Sequence, residues 1–207
     1  MPKDTFFNLP DDKRALICNV AIQEFGEHPF DQASVNRIVA KAGIAKGSFY
    51  QYFEDKADLF LYVARLAGEA KAEYIAPVMR NPDQQDFFTL LRALYASGIQ
   101  FAAEHPEYAE LSKRLLEHRD GPIYRELMAE NLPSAYEFFE RLLENAVAKG
   151  EIRADIDIKM LAHMLVPMNA HLVEYYVEHV AGEYGEGMLE TLDQFVDLLR
   201  SGMGRAA

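Results

Sequence analysis

The sequence predicts an all-α protein with a small helical head and a larger helical rear. Three observations predict it. Apolar residues recur at helical spacing along almost the whole chain, as in helices that bury one face. No convincing run alternates apolar and polar residues as a half-buried strand would. Junctions rich in glycine, proline or acidic residues, "HPFDQAS", "RNPDQQ", "KGEIRADID" and "GEYGEG", punctuate the periodic stretches.

The first helix opens near Pro10, where a first turn tolerates the missing amide; Leu16, Ile17, Val20, Ala21 and Phe25 line one face up to Gly26. Ser34 suits the N-cap of a short helix ending at Gly43, and a second short helix spans about 46–53. Asp55 caps the fourth, with Asp58 favouring the dipole, and it runs to about Ala76, ahead of Pro77. Further helices are expected at about 83–104, 106–118, 122–148, 157–181 and 186–202, about nine in all. Pro133 and Pro167 fall inside two of them and are expected to kink or split them.

At 207 residues, half of them apolar and 26% charged, the chain can build one or two small cores of ordinary soluble composition. A net charge of −12 argues against a nonspecific polyanion binder, because the whole-molecule field repels nucleic acid and anionic membranes. The charge is uneven, however. Residues 34–53 hold Arg37, Lys41 and Lys46 and no carboxylate, so this tract carries +3 and the remainder −15. The opening "MPKDTFFNLPDDKR" has no apolar signal core, and no stretch approaches the ~18 apolar residues of a membrane span. The single Cys18 excludes an intramolecular disulfide framework and suits a reducing cytoplasm, where it is expected to be a small buried residue.

Two short helices joined at Gly43 form the layout of a helix-turn-helix over 34–53. Ile38, Val39, Ala42, Ile44, Phe49 and Tyr52 are spaced to face inward; Ala42 is small where the helices cross, and Gly43 suits the positive φ of a tight turn. The second helix would then lie in a DNA major groove, presenting Lys46, Gly47, Ser48, Tyr50 and Gln51. The missing carboxylates gain a reason, since Asp or Glu here would face phosphates at close range. Gly47 would let the backbone approach a phosphate, while Ser34 and Ser48 serve as helix-start residues or phosphate ligands. Gln51 is a solvated residue or an adenine-edge reader, and Lys56 is placed to meet the phosphate backbone.

"SVNRIVAKAGIAKGSFYQYFEDKADLF" resembles the DNA-binding domain of the TetR-type transcriptional regulators, and the likeness runs from about Leu9 to Val63. The first helix ending "AIQEFGE" and the "AKAGIAKGSFYQYF" core followed by "DKADL" carry it. The resemblance implies a tetR-type DNA-binding domain at 8–54 and a helical effector-binding and dimerisation domain at 55–207. It implies base or phosphate contacts from Lys46, Gly47, Ser48, Tyr50 and Gln51, and backbone anchoring by Ser34, Tyr52 and Lys56. Ala45 departs from the pattern where the family often has a capping Ser or Thr, a loss of ~1 kcal/mol. The acidic "EFGEHPFDQAS" argues against a phosphate contact from that loop. The implied function is a homodimeric repressor that binds a palindromic operator and is released by a small-molecule effector. The alternative is a DNA-binding regulator controlled by a protein partner, or one without an effector.

The rear holds no specific motif. Leu161, Leu165, Met168, Leu172 and Tyr176 form one stripe, and Leu192, Phe195 and Leu199 belong to another; together they suit a two-fold four-helix bundle with a second copy. Aromatic, methionine and polar residues amid apolar stretches make Tyr95, Gln100, Tyr124, His163, Met164 and Asn169 the effector-binding candidates. No cofactor, metal or catalytic group is expected. His163, His171 and His179 are spaced by eight, about 80° per step around a helix, whereas compact metal pairs use three or four.

Overall fold

The computed structural model describes residues 1–181 and 187–204, except the side chains of Asp83, Asn169, Val177 and Ala181. Its α-helices are α1 (Asp4–Phe7), α2 (Asp11–Glu27), α3 (Val35–Lys41), α4 (Lys46–Tyr52), α5 (Lys56–Ile75), α6 (Phe87–Glu104), α7 (Pro106–Glu117), α8 (Pro122–Ala148), α9 (Ile158–Tyr176) and α10 (Gly187–Met203). A 3-10 turn, Pro82–Gln84, precedes α6, and a π turn, Val177–Ala181, extends α9.

Local chemistry explains the boundaries. Asp55 accepts the Asp58 amide at 2.9 Å, the expected cap of α5. Asp86 accepts the amides of Phe88 and Thr89 at 3.1 and 3.2 Å, so α6 starts later than its apolar pattern implied. Pro133 and Pro167 do not split their helices; α8 and α9 run through them. The helix expected over 157–181 changes at Val177 into a π turn. One element went unforeseen: α1, whose Phe6 is fully buried among Phe53, Tyr52 and Tyr62.

The chain packs as two units. The first comprises Met1–Lys71 and His105–Met128; the second comprises Ala72–Glu104 and the chain from Ala129 onward. In the first, Phe6, Phe25, Phe49 and Phe53 join Ile17, Ile38, Leu59 and Leu111 in a core that ties α7 to the head helices. In the second, Leu91, Leu143, Ile152 and Leu165 centre a core shared by α6, α8, α9 and α10. Cys18 is buried, and that burial pushes its thiol up to about 11 despite Arg14, so it remains an unreactive thiol.

Candidate nucleic-acid interface

The turn between α3 and α4 depends on Gly43, which adopts φ +61°. The Ile44 amide returns to the Val39 carbonyl at 3.0 Å and closes the end of α3. Ile38, Val39, Ala42 and Phe49 are buried in the head core, with Ile44 and Tyr52 packed partly buried against it, so all six expected residues face inward. The opposite face of α4 is open. Lys46, Gly47, Tyr50 and Gln51 are exposed and Ser48 is half-buried. Tyr50 exposes 47% of its surface, whereas Phe49 beside it exposes none.

The unforeseen α1 braces this helix. Lys3 donates its amide to the Tyr52 carbonyl at 2.8 Å and its ammonium to the Tyr50 carbonyl at 3.0 Å, and the Thr5 hydroxyl donates to the Gln51 carbonyl. These are carbonyls of the last turn, which have no partner within their own helix. A cation here also complements the negative end of the helix dipole. The "TFF" pair ahead of Leu9 was the available signal, since an isolated aromatic pair before a helix needs a core to enter.

In space the carboxylate-free tract is less positive than its composition implies. Glu24, fully buried on α2, accepts Arg37 Nε and the Ser34 amide, both at 2.8 Å. Burial alone would raise the Glu24 carboxyl, but the Arg37 guanidinium and the Ser34 amide hold it below its ordinary value. Arg37 is thereby a structural cation that fixes the entry to α3. Lys41 sits 3.7 Å from the exposed carboxylate of Glu27. Lys46 is exposed without an ion pair among the described residues, and Lys13 adds a second cation near the turn, 3.4 Å from the Gly43 carbonyl.

Other expected contacts are placed differently. The Lys56 ammonium donates to the carbonyls of Phe30 at 2.6 Å and Ala33 at 2.9 Å, and lies 4.5 Å from the Phe30 ring centroid. It thereby holds the loop before α3. Ser34 occupies the N-cap of α3, yet its hydroxyl makes no cap bond. At Gly47 a Cβ would meet nothing within 4 Å, so the fold itself does not require glycine there.

Residues 17–63 match the family described as bacterial regulatory proteins, tetR family, and residues 85–204 match the tetracyclin repressor-like C-terminal domain. The chain belongs to the TetR family. It is therefore a DNA-binding transcriptional regulator. A TetR family transcriptional regulator from Chloroflexus aurantiacus J-10-FL is 33% identical, with all of both chains covered and a TM-score of 0.73. The HTH-type transcriptional repressor AcnR of Corynebacterium glutamicum is 26% identical over 194 residues, 89% of this chain and 90% of that one. The regulator FadR from Bacillus subtilis, solved in complex with stearoyl-CoA, shares the fold at 20% identity and a TM-score of 0.73, covering 91% of this chain and 98% of its own.

In this TetR-family chain the described effector candidates each have their own surroundings. Tyr95 is buried, with its hydroxyl donated to the Leu165 carbonyl at 3.0 Å. Gln100 is exposed and donates to Glu104 at 3.0 Å. His163 is exposed and stacks on Tyr136, with ring centroids 3.9 Å apart, and Met164 is also exposed. Tyr124 lines a cavity in the first unit. The side chain of Asn169 lies outside the described residues.

The expected dimer stripe divides between buried and half-buried residues. Leu161, Leu165, Tyr176 and Leu192 are buried inside their own protomer, and Leu172, Phe195 and Leu199 pack against the same core. The four buried side chains have almost no surface left to offer a second copy, whereas Leu172, Phe195 and Leu199 keep part of theirs. Met168 is only half-buried. The face of α9 open to solvent is instead Met160, Met164, Pro167, His171 and Tyr175, whose three- and four-residue spacing aligns them in one stripe.

Proposed function

We propose that the chain is a cytoplasmic, homodimeric repressor without catalytic activity, which reads a palindromic operator through two copies of α4 and is released by a small-molecule effector. The observation that carries this reading is the two-sidedness of α4: a sealed aromatic underside at Phe49 and an open outer face at Lys46, Gly47, Tyr50 and Gln51. Ser34, Ser48 and Tyr52 flank that face and supply phosphate contacts, while Lys56 acts by holding the loop that leads into α3. Residues 8–54 form the DNA-binding domain, and 55–207 carry the effector and dimer functions.

Dimerisation is physically required, because one short helix reads few bases and two combine their binding energies. The exposed apolar stripe of α9 is the surface for a second copy. Effector binding then shifts the population toward a state whose two heads are wrongly spaced for successive grooves. The stearoyl-CoA complex of FadR supports small-molecule control in this fold.

A footprint of the purified full-length chain on the DNA upstream of its own coding sequence tests the reading. The expected result is a protected palindrome with half-sites about one helical turn apart, weakening steeply as salt rises. Absence of sequence-selective protection even at low salt would reject it.

A further inference from the structure

The first unit contains a cavity of about 230 Å³ that the reading of α4 does not use. Phe30, Phe60, Leu115 and Ile123 supply apolar wall; Arg114, His118 and Tyr124 supply the polar groups. An apolar cavity of ~150 Å³ suffices for benzene. The space here therefore suits one substituted six-membered ring.

Two walls are fixed by local geometry. Phe30 and Phe60 meet edge to face at 5.4 Å, with Phe25 packed against both. At the turn between α7 and α8 a Cβ on Gly121 would come within 3.0 Å of the His118 carbonyl, so that position supplies no side chain to fill the space.

The polar groups select against charge. Arg114 donates Nη1 to Glu117 at 2.8 Å and Nε to the Gly26 carbonyl at 3.1 Å, so its charge is already matched. Asp31 also borders the cavity and adds negative charge beside it, which disfavours an anion. His118 Nδ1 lies 3.1 Å from the Arg114 carbonyl, an atom that only accepts, so Nδ1 donates there and Nε2 is the ring nitrogen left for a ligand. Hydrophobic walls with one imidazole nitrogen and one tyrosine fit an uncharged aromatic ring that bears a hydroxyl, a group that both donates and accepts.

We propose that this cavity is an effector site for a small neutral phenolic compound. Its consequence for DNA, which rests on the regulator reading above, follows from Phe30. The Phe30 backbone belongs to the loop that Lys56 clamps and that runs directly into Ser34 and α3. A ligand pressing on this wall shifts the helix-turn-helix to the extent that it prefers one loop position over another.

The test uses the full-length protein and phenol as probe, followed by calorimetry and by methyl NMR of Leu115 and Ile123. Saturable binding with a Kd on the order of 1 mM or tighter is expected for so small a ligand. Benzoate should bind at least about tenfold more weakly, because its charge would be desolvated without a free partner. Ile123→Trp should fill the space and abolish phenol binding. Should that variant not fold, Leu115→Ala enlarges the space and should shift preference toward 1-naphthol. Phenol binding that persists unchanged in these variants, or benzoate binding more tightly than phenol, would overturn the site. If phenol binds here while operator affinity stays constant, the coupling is overturned and the site stands. If no operator is bound in the absence of phenol, the regulator reading fails independently.

Discussion

The segment 34–53 and α9 are both helical and rich in apolar residues, yet one disclosed its orientation in sequence and the other did not. In the segment 34–53, apolar and polar positions separate cleanly around two short helices, so only one face can enter a core. Helix α9 has two apolar stripes. Leu161, Leu165, Leu172 and Tyr176 turn inward, while Met160, Met164, Pro167 and Tyr175 turn outward. Periodicity reports that a helix has an apolar face; with two such faces it does not report which one the protomer keeps. Met164 exposes 50% of its surface and its neighbour Leu165 none.

That pair offers the largest test of the contrast. Leu165→Ala should destabilise the folded protein by roughly 3–5 kcal/mol, as expected for truncating a fully buried leucine. Its measure is chemical denaturation at a protein concentration high enough to hold the oligomer constant. Met164→Glu combined with Tyr175→Glu should instead leave secondary structure intact and convert dimer to monomer in analytical ultracentrifugation. If the glutamates unfold the chain and the Leu165 change merely dissociates it, the two stripes have been assigned the wrong way round.

On the recognition side, the double change Lys46→Ala and Tyr50→Ala should weaken operator binding by about 100-fold or more, since each copy in a dimer loses both contacts. Both side chains are exposed, so the melting temperature should stay near that of the parent. The salt dependence should become shallower, because a phosphate-facing cation has gone. Fluorescence anisotropy across a salt series reads both quantities. Unchanged affinity would remove α4 from the interface.

What the sequence left hidden was mostly long-range pairing. The order of helices, Gly43 as the turn, Asp55 as a cap and the inward set around Phe49 all follow from local spacing and propensity, and the structure has them. The Glu24–Arg37 pair links residues thirteen apart on different helices, and a charge count over a contiguous tract is blind to it. The clamp of Lys56 on residues 30–33 and the brace of α1 on α4 are of the same kind. So is the loss of Tyr95 to a hydrogen bond with Leu165, seventy positions away. Short helices are legible from within; the polar bonds that set their position come from elsewhere in the chain.

Glu24 makes that distinction measurable. Glu24→Gln should destabilise the protein by about 2 kcal/mol at pH 7, by weakening charge-assisted bonds to Arg37 and the Ser34 amide. Because the folded-state pKa is depressed, the stabilisation is fully present above the unfolded value near ~4.3 and is lost as pH falls through the folded value. The gap between parent and variant should therefore close on acidification below about pH 4.3. A gap that stayed constant across that range would mean the carboxylate charge contributes nothing.

Gly47 produces the smallest effect and isolates DNA contact from folding. A Cβ at this position meets no atom within 4 Å, and the residue lies in the first turn of α4 with ordinary helical backbone. Gly47→Ala should therefore stabilise the free protein by roughly 0.5 kcal/mol, through reduced chain entropy and better helix propensity. Operator affinity should nonetheless fall by about tenfold, because the added methyl occupies space into which a phosphate approaches the helix backbone. Few substitutions are expected to raise stability and lower binding together, and that opposition is the informative part. If melting temperature and affinity rise together, the duplex does not come close to this turn, and α4 would have to enter the groove through Tyr50 and Gln51 instead.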